Sequence, residues 1–293
     1  MKIQGAWTAL VTPLRGGKVD VGALEALVEE QIRGGIDGLV PCGTTGEAPT
    51  LSLEEHELVV RTTVAVARGR VPVMAGCGSN DTHKAIELTR LAKRCGVQAA
   101  LHVMPYYNKP TQDGLVAHMA AILKDAPLPS VVYNVPTRTV TDLLPETIAR
   151  MARELPEVVG VKEASGNVLR SQKVVELVGD RLAVLSGDDA MTLPILAVGG
   201  VGVVSVTSNL APGRVAEVCR VWAGGDATLA RKVHFALLPL HEVLFVETSP
   251  APVKAALQLL GKMDDELRLP LVRVSAATRD KLASVLRAQG MLG

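Results

Sequence analysis

The chain of 293 residues is 48% hydrophobic and 21% charged, with 31 basic and 30 acidic side chains. That composition supplies a sizeable core and excludes intrinsic disorder. A net charge of +1 leaves no electrostatic footprint for nucleic acid or for an anionic membrane.

In chain order, short β-branched runs alternate with helical stretches. Trp7–Val11 predicts the first strand. Val21–Gly34 then places Leu24, Leu27, Val28 and Ile32 on one face and stops at Gly34-Gly35, which predicts a helix. Gly38–Cys42 is the second strand, followed by a helix over Ser52–Ala67 that opens with Ser52 and Glu55 at the spacing of a capping box. Val71–Gly76 precedes a helix over Thr82–Cys95, ended by Gly96. Ala100–Met104 and Ser130–Val135 are strands four and five, and Pro145–Arg153 is a helix with proline in its first turn. Val158–Val161, Leu182–Ser186 and Gly202–Val206 complete eight strands.

Successive strand starts lie about 20 to 35 residues apart, the length of a strand-loop-helix-loop unit. Most of these strands are apolar nearly throughout, as parallel strands buried on both faces are. An α/β fold with a closed parallel (β/α)8 TIM barrel is therefore expected. An open doubly wound sheet is the alternative, but no G-x-G-x-x-G phosphate fingerprint follows the first strand.

From Ala190 to Gly213 there is no charged residue, long enough to suggest a membrane span. Pro194, Gly199, Gly200 and Gly202 interrupt it, and a buried helix running into a buried strand fits better. After about Gly225 the strand signal ends, and Ala227–Phe245, Pro252–Leu260 and Ser275–Gln289 read as helices. The expected division is a catalytic barrel over residues 1–224 and a helical extension over residues 225–293. Cys42, Cys77, Cys95 and Cys219 form no C-x-x-C pair and no zinc-ligand spacing, so they read as thiols of a reducing compartment. With no apolar signal-peptide region at Met1–Ala6, a cytoplasmic location is expected.

In a barrel, chemistry gathers at the C-terminal strand ends and the loops after them. Those ends carry Gly43-Thr44-Thr45-Gly46-Glu47, Pro105-Tyr106-Tyr107-Asn108-Lys109-Pro110, Tyr133 with Asn134-Val135-Pro136-Thr137-Arg138-Thr139, Lys162-Glu163, and Gly187-Asp188-Asp189. All three tyrosines of the chain fall at adjacent strands four and five. Packing at a subunit contact would also explain Tyr106 and Tyr107.

Lys162 follows Val158-Val159-Gly160-Val161 in a buried strand, where an unpaired ammonium is costly. Either its head snorkels to solvent or it is a nucleophilic amine. Free lysine, with a pKa of about 10.4, is only roughly 0.04% neutral at pH 7, so desolvation would be needed to make it reactive. Thr44 and Thr45 suit either a hydroxyl-stabilised turn or a carboxylate site. Arg138 is a surface arginine or a bidentate carboxylate clamp. Asp188 and Asp189 read as helix caps before catalytic acids. The six histidines have no metal-ligand spacing, so neither metal nor cofactor is required.

These motifs, with Val161-Lys162-Glu163-Ala164-Ser165-Gly166-Asn167 and Ser186-Gly187-Asp188-Asp189, resemble the dihydrodipicolinate synthase/N-acetylneuraminate lyase family of class I aldolases. Within it they look most like the branch that serves diaminopimelate and lysine biosynthesis. The resemblance implies a Schiff base between Lys162 and pyruvate, with Tyr133 as acid/base, linked through Thr45 to Tyr107 of a neighbouring subunit. It implies that Thr44 and the backbone at Thr45 hold the pyruvate carboxylate and that Arg138 holds that of L-aspartate 4-semialdehyde. Gly187 and Val204 would line the pocket, and the assembly would be a homotetramer, a dimer of dimers. Sugar-acid and hydroxy-oxoglutarate aldolases share the lysine and tyrosine and are the alternative activity; a non-catalytic metabolite sensor is the third reading. Relatives inhibited by lysine resemble the chain at His56, Asn80 and Tyr106, but carry a glutamate where Lys84 stands and a histidine where Leu53 stands. Feedback by L-lysine is therefore expected to be weak or absent.

Overall fold

The computed structural model describes residues 3–293. Eight parallel strands form the sheet: β1 (Gly5–Ala9), β2 (Gly38–Val40), β3 (Met74–Gly76), β4 (Ala99–Val103), β5 (Ser130–Asn134), β6 (Val158–Glu163), β7 (Ala183–Ser186) and β8 (Gly202–Ser205). Their order is β2-β1-β8-β7-β6-β5-β4-β3. The remaining seam, between β2 and β3, is joined by a parallel bridge from Leu39 to Val73. There the Leu39 N–H donates to Pro72 O at 3.0 Å and the Gly76 N–H to Pro41 O at 2.9 Å. The (β/α)8 barrel read from the alternation is the observed fold.

The outer ring comprises α1 (Val21–Arg33), α2 (Leu53–Ala67), α3 (Thr82–Arg94), α4 (Gln112–Asp125), α5 (Pro145–Glu154), α6 (Val168–Val178), α7 (Thr192–Ala197) and α8 (Pro212–Ala223). Their starts follow ordinary capping chemistry. Asp20, Asp81, Thr111 and Asn167 each accept from a first-turn N–H, satisfying a donor the helix leaves free. The capping box of Ser52 and Glu55 is formed as the spacing predicts. A short antiparallel hairpin, Leu14–Arg15 with Lys18–Val19, follows β1 and has no counterpart in the sequence reading.

Two layers of packing follow from the strand period of two. Trp7, Ala9, Val40, Met74, Leu101, Val131, Tyr133, Leu185 and Val204 form one buried cluster that fills the barrel. A side chain at Gly38 would come within 2.2 Å of the Trp7 ring, so glycine on β2 makes room for that indole. Alternate strand residues pack outward on the helices.

The uncharged stretch is a single turn at Asp189–Met191, the short α7 and then β8. No described helix is long and apolar enough to cross a membrane. Three more helices follow: α9 (Ala227–Val243), α10 (Ala251–Leu259) and α11 (Ala276–Ala288). Leu237, Leu240, Val253, Leu257, Leu282 and Leu286 from these helices join the same buried cluster as Leu10, Leu24 and Leu39 of the barrel.

Candidate active site

Strand pairing brings the main candidates side by side. Tyr133 on β5 pairs with Lys162 on β6, which pairs with Leu185 on β7. Tyr133 and Leu185 belong to the interior cluster, so Lys162 faces the barrel axis. It is 6% exposed, and its Nζ lies 4.2 Å from the centroid of the Tyr133 ring. The snorkelling alternative is thereby excluded.

Burial lowers the Lys162 pKa from 10.5 to about 8; the Asp189 carboxylate opposes this and Arg138 adds to it. Burial pushes Tyr133 in the other direction, to about 12, offset in part by the Arg138 charge and by a hydrogen bond with the Thr44 side chain. At neutral pH, then, a phenol that keeps its proton sits against an amine that readily loses one.

Glycine at position 187 is a condition of this placement. A side chain there would come within 2.6 Å of the Ala164 methyl and 3.1 Å of the Lys162 stem. Gly187 is held in register by its N–H, which donates to Glu163 O at 2.7 Å. Val204 is buried in the same interior cluster.

The threonine loop after β2 turns sharply, with Cys42 and Glu47 both in left-handed backbone conformation. The Gly46 and Glu47 N–H groups close the turn onto Gly43 O and Thr44 O. Among the described residues, no acceptor takes the N–H groups of Thr44 and Thr45. Two free donors in a concave turn suit a carboxylate. The Thr44 hydroxyl acts on the Tyr133 phenol, and the neighbouring Thr45 is buried in the same loop.

Arg138 stands on the single helical turn Pro136–Thr139 after β5. Its side chain is exposed, but the backbone beneath it is fixed. Asn134 accepts from Leu143 N–H at 2.9 Å and donates to Asp142 at 3.1 Å. Arg170 on α6 bridges Asp142 and the buried Glu163, at 3.1 and 3.2 Å. Glu163, next to Lys162 but facing outward, thus anchors the arginine loop. Asp189 has a comparable task across the barrel. Fully buried, it accepts from Ser205 Oγ, from Val206 N–H at 2.8 Å and from Thr207 N–H at 3.2 Å, clamping the turn after β8. Asp188 caps the single turn Asp189–Met191 after β7 by accepting from Ala190 N–H, as read from the sequence. The clamping roles of Asn134, Glu163, Arg170 and Asp189 were not foreseen. A carboxylate beside each strand-end motif was the only available signal.

Thr44, Tyr133 and Arg138 line a cavity of about 460 Å³ that runs on to Leu53, His56, Lys84 and Tyr106. Lys162, Gly187 and Val204 are not part of its wall; the lysine lies against the Tyr133 ring. Tyr107 does not approach this chain's own site. It is 87% exposed and held outward by a left-handed backbone, with φ of 74°. Among the described residues, no cluster of three or more His, Cys, Asp or Glu side chains could hold a metal ion.

The family model of the Dihydrodipicolinate synthetase family matches residues 2–289. The chain belongs to that family. A 4-hydroxy-tetrahydrodipicolinate synthase of Nitratidesulfovibrio vulgaris is 52% identical over 292 residues, covering 100% of both chains. The protein of the same name from Sorangium cellulosum is 53% identical over 98% of this chain and 96% of its own. Among solved structures, the dihydrodipicolinate synthase of Thermotoga maritima superposes with a TM-score of 0.97 at 44% identity, covering 99% of each chain. The synthase of Methylacidiphilum fumariolicum gives 0.97 at 46% identity, over 99% of this chain and 96% of its own. Membership of the dihydrodipicolinate synthetase family accounts for the shared barrel and helical tail.

Proposed function

We propose that the chain is a 4-hydroxy-tetrahydrodipicolinate synthase, which condenses pyruvate with L-aspartate 4-semialdehyde in diaminopimelate and lysine biosynthesis. The observation that carries this is the buried amine of Lys162 against the phenol of Tyr133, in a full-length relative of enzymes so named.

The Lys162 amine attacks C2 of pyruvate, giving a carbinolamine that loses water to form the imine. Tyr133 gives a proton to the departing hydroxyl and recovers one through Thr45. Loss of a C3 proton yields the enamine, whose carbon attacks the aldehyde of the second substrate. The amine of that substrate then adds to C2, closes the ring and expels Lys162. The open N–H groups of Thr44 and Thr45 hold the pyruvate carboxylate, and Arg138 holds the carboxylate of the semialdehyde. Gly187 and Val204 shape the pocket. The exposed Tyr107 supports a relay completed by a neighbouring subunit, in a homotetramer of the cytoplasm. Product analysis tests the reading: aspartate semialdehyde is consumed with pyruvate to a cyclic product, while sugar-acid aldehydes are not. Preference for the sugar-acid aldehydes would overturn it.

L-Lysine is expected to inhibit weakly or not at all. The cavity end that holds His56 and Tyr106 also holds Lys84 and Leu53. Burial lowers the His56 pKa, and the charge of Lys84 lowers it further, so a cation already faces this end. Glu87 on the same wall cancels that charge without presenting a net anion to a second ammonium group. Half-inhibition by sub-millimolar L-lysine in a coupled assay would contradict this.

A further inference from the structure

We infer that the buried ion pair of Lys254 and Glu47 makes the C-terminal helices part of the pyruvate-carboxylate site, by fixing the backbone of the threonine loop. The inference rests on the function proposed above. Both groups are positioning residues, since neither faces the substrate.

Lys254 on α10 is fully buried, and Glu47 is 2% exposed. The Lys254 ammonium donates to one carboxylate oxygen of Glu47 and, at 2.7 Å, to Glu266 O. The other carboxylate oxygen accepts from Arg268 N–H at 3.1 Å. The Arg268 guanidinium goes on to Glu55, to Thr50 O and to Gly17 O, the last two at 2.7 Å. At the other side of the turn, the Thr12 hydroxyl donates to Gly46 O at 2.7 Å. The loop is thus tied to a segment 207 residues away.

Stability alone is a poor reason for such a pair. Two buried charges recover little beyond their desolvation, and apolar residues would fill the space as well. Glu47 also has left-handed backbone angles, φ 55° and ψ 34°, which cost a glutamate more than a glycine. Its N–H closes the turn onto Thr44 O, so the tether on Glu47 sets where Thr44 and Thr45 present their open N–H groups. A charged, directional tether therefore holds the segment that grips the carboxylate.

The test is the pyruvate concentration that half-saturates borohydride labelling of Lys162, measured on the full chain. Lys254→Met leaves Glu47 buried without its cation. Half-saturation is expected to rise about tenfold, because a small displacement of a binding group is felt strongly. Labelling at saturating pyruvate and its pH dependence should stay as in the wild type, a split that general loosening of the fold would not produce. Glu47→Gln keeps the shape of the loop and provides a second reading if the first variant does not fold; its half-saturation should rise as well. A folded variant of either kind with wild-type half-saturation overturns the inference. A wild type that takes no label sinks the Schiff-base reading, and this inference with it.

Discussion

Lys162→Met is expected to lower turnover by about four orders of magnitude or more, the scale on which loss of a covalent nucleophile acts. It should do so without unfolding the protein. Methionine fills much of the same volume in the barrel and carries no charge to desolvate. The sign of the stability change is informative. With its pKa lowered from 10.5 to about 8, Lys162 is protonated at pH 7 in both the folded and the unfolded chain, and the folded state bears the cost of burying the cation. That cost is about 3 kcal/mol, and it is relieved only as the pH rises from about 8 towards 10.5. The methionine variant should therefore melt at a higher temperature than the wild type at pH 7. A barrel that keeps a destabilising amine in its interior is trading stability for reactivity. The same shift sets the pH dependence of imine formation. About a tenth of the amine is neutral at pH 7, so the rate at limiting pyruvate should rise nearly tenfold per unit below pH 8 and level off above it. A variant that keeps wild-type turnover, or a rate with no inflection near pH 8, would count against Lys162.

Tyr133→Phe is expected to lower turnover by about 10² to 10⁴, the usual contribution of a positioned acid/base. The ring stays, so packing against the Lys162 stem and the interior cluster is kept. What is lost is a hydroxyl whose proton is held firmly, with a pKa pushed up by burial to about 12. Imine formation and release should both slow, while the final extent of labelling at Lys162 is preserved at long times. Rapid-quench measurement with pyruvate alone separates the two substitutions: slow but complete labelling for Tyr133→Phe, none for Lys162→Met. A Tyr133→Phe variant with unchanged imine formation would assign the proton transfer to another group.

The barrel strands were legible because parallel strands buried on both faces read as apolar runs, and because each run ended in polar residues. Their observed limits differ from the reading by a few residues at most, as at β3, where the strand begins at Met74 and not at Val71. Helices α1, α2, α3 and α5 carried caps, stops or a leading proline. Helices α4, α6 and α8 were implied only by the intervals between strands. Pairwise geometry was less legible. How Thr44 and Thr45 are presented depends on the turn whose left-handed residues are Cys42 and Glu47, which no local pattern announces. The clamp of Asp189 on residues 205–207 and the tie of Lys254 to Glu47 join segments far apart in the chain, so no local pattern announces them.

The central claim is a covalent pyruvate adduct on one particular lysine. Borohydride reduction in the presence of pyruvate, followed by peptide mass mapping, should place a single adduct on Lys162. It should also inactivate the enzyme in proportion to the label. A label on any other lysine, or none, would contradict the account.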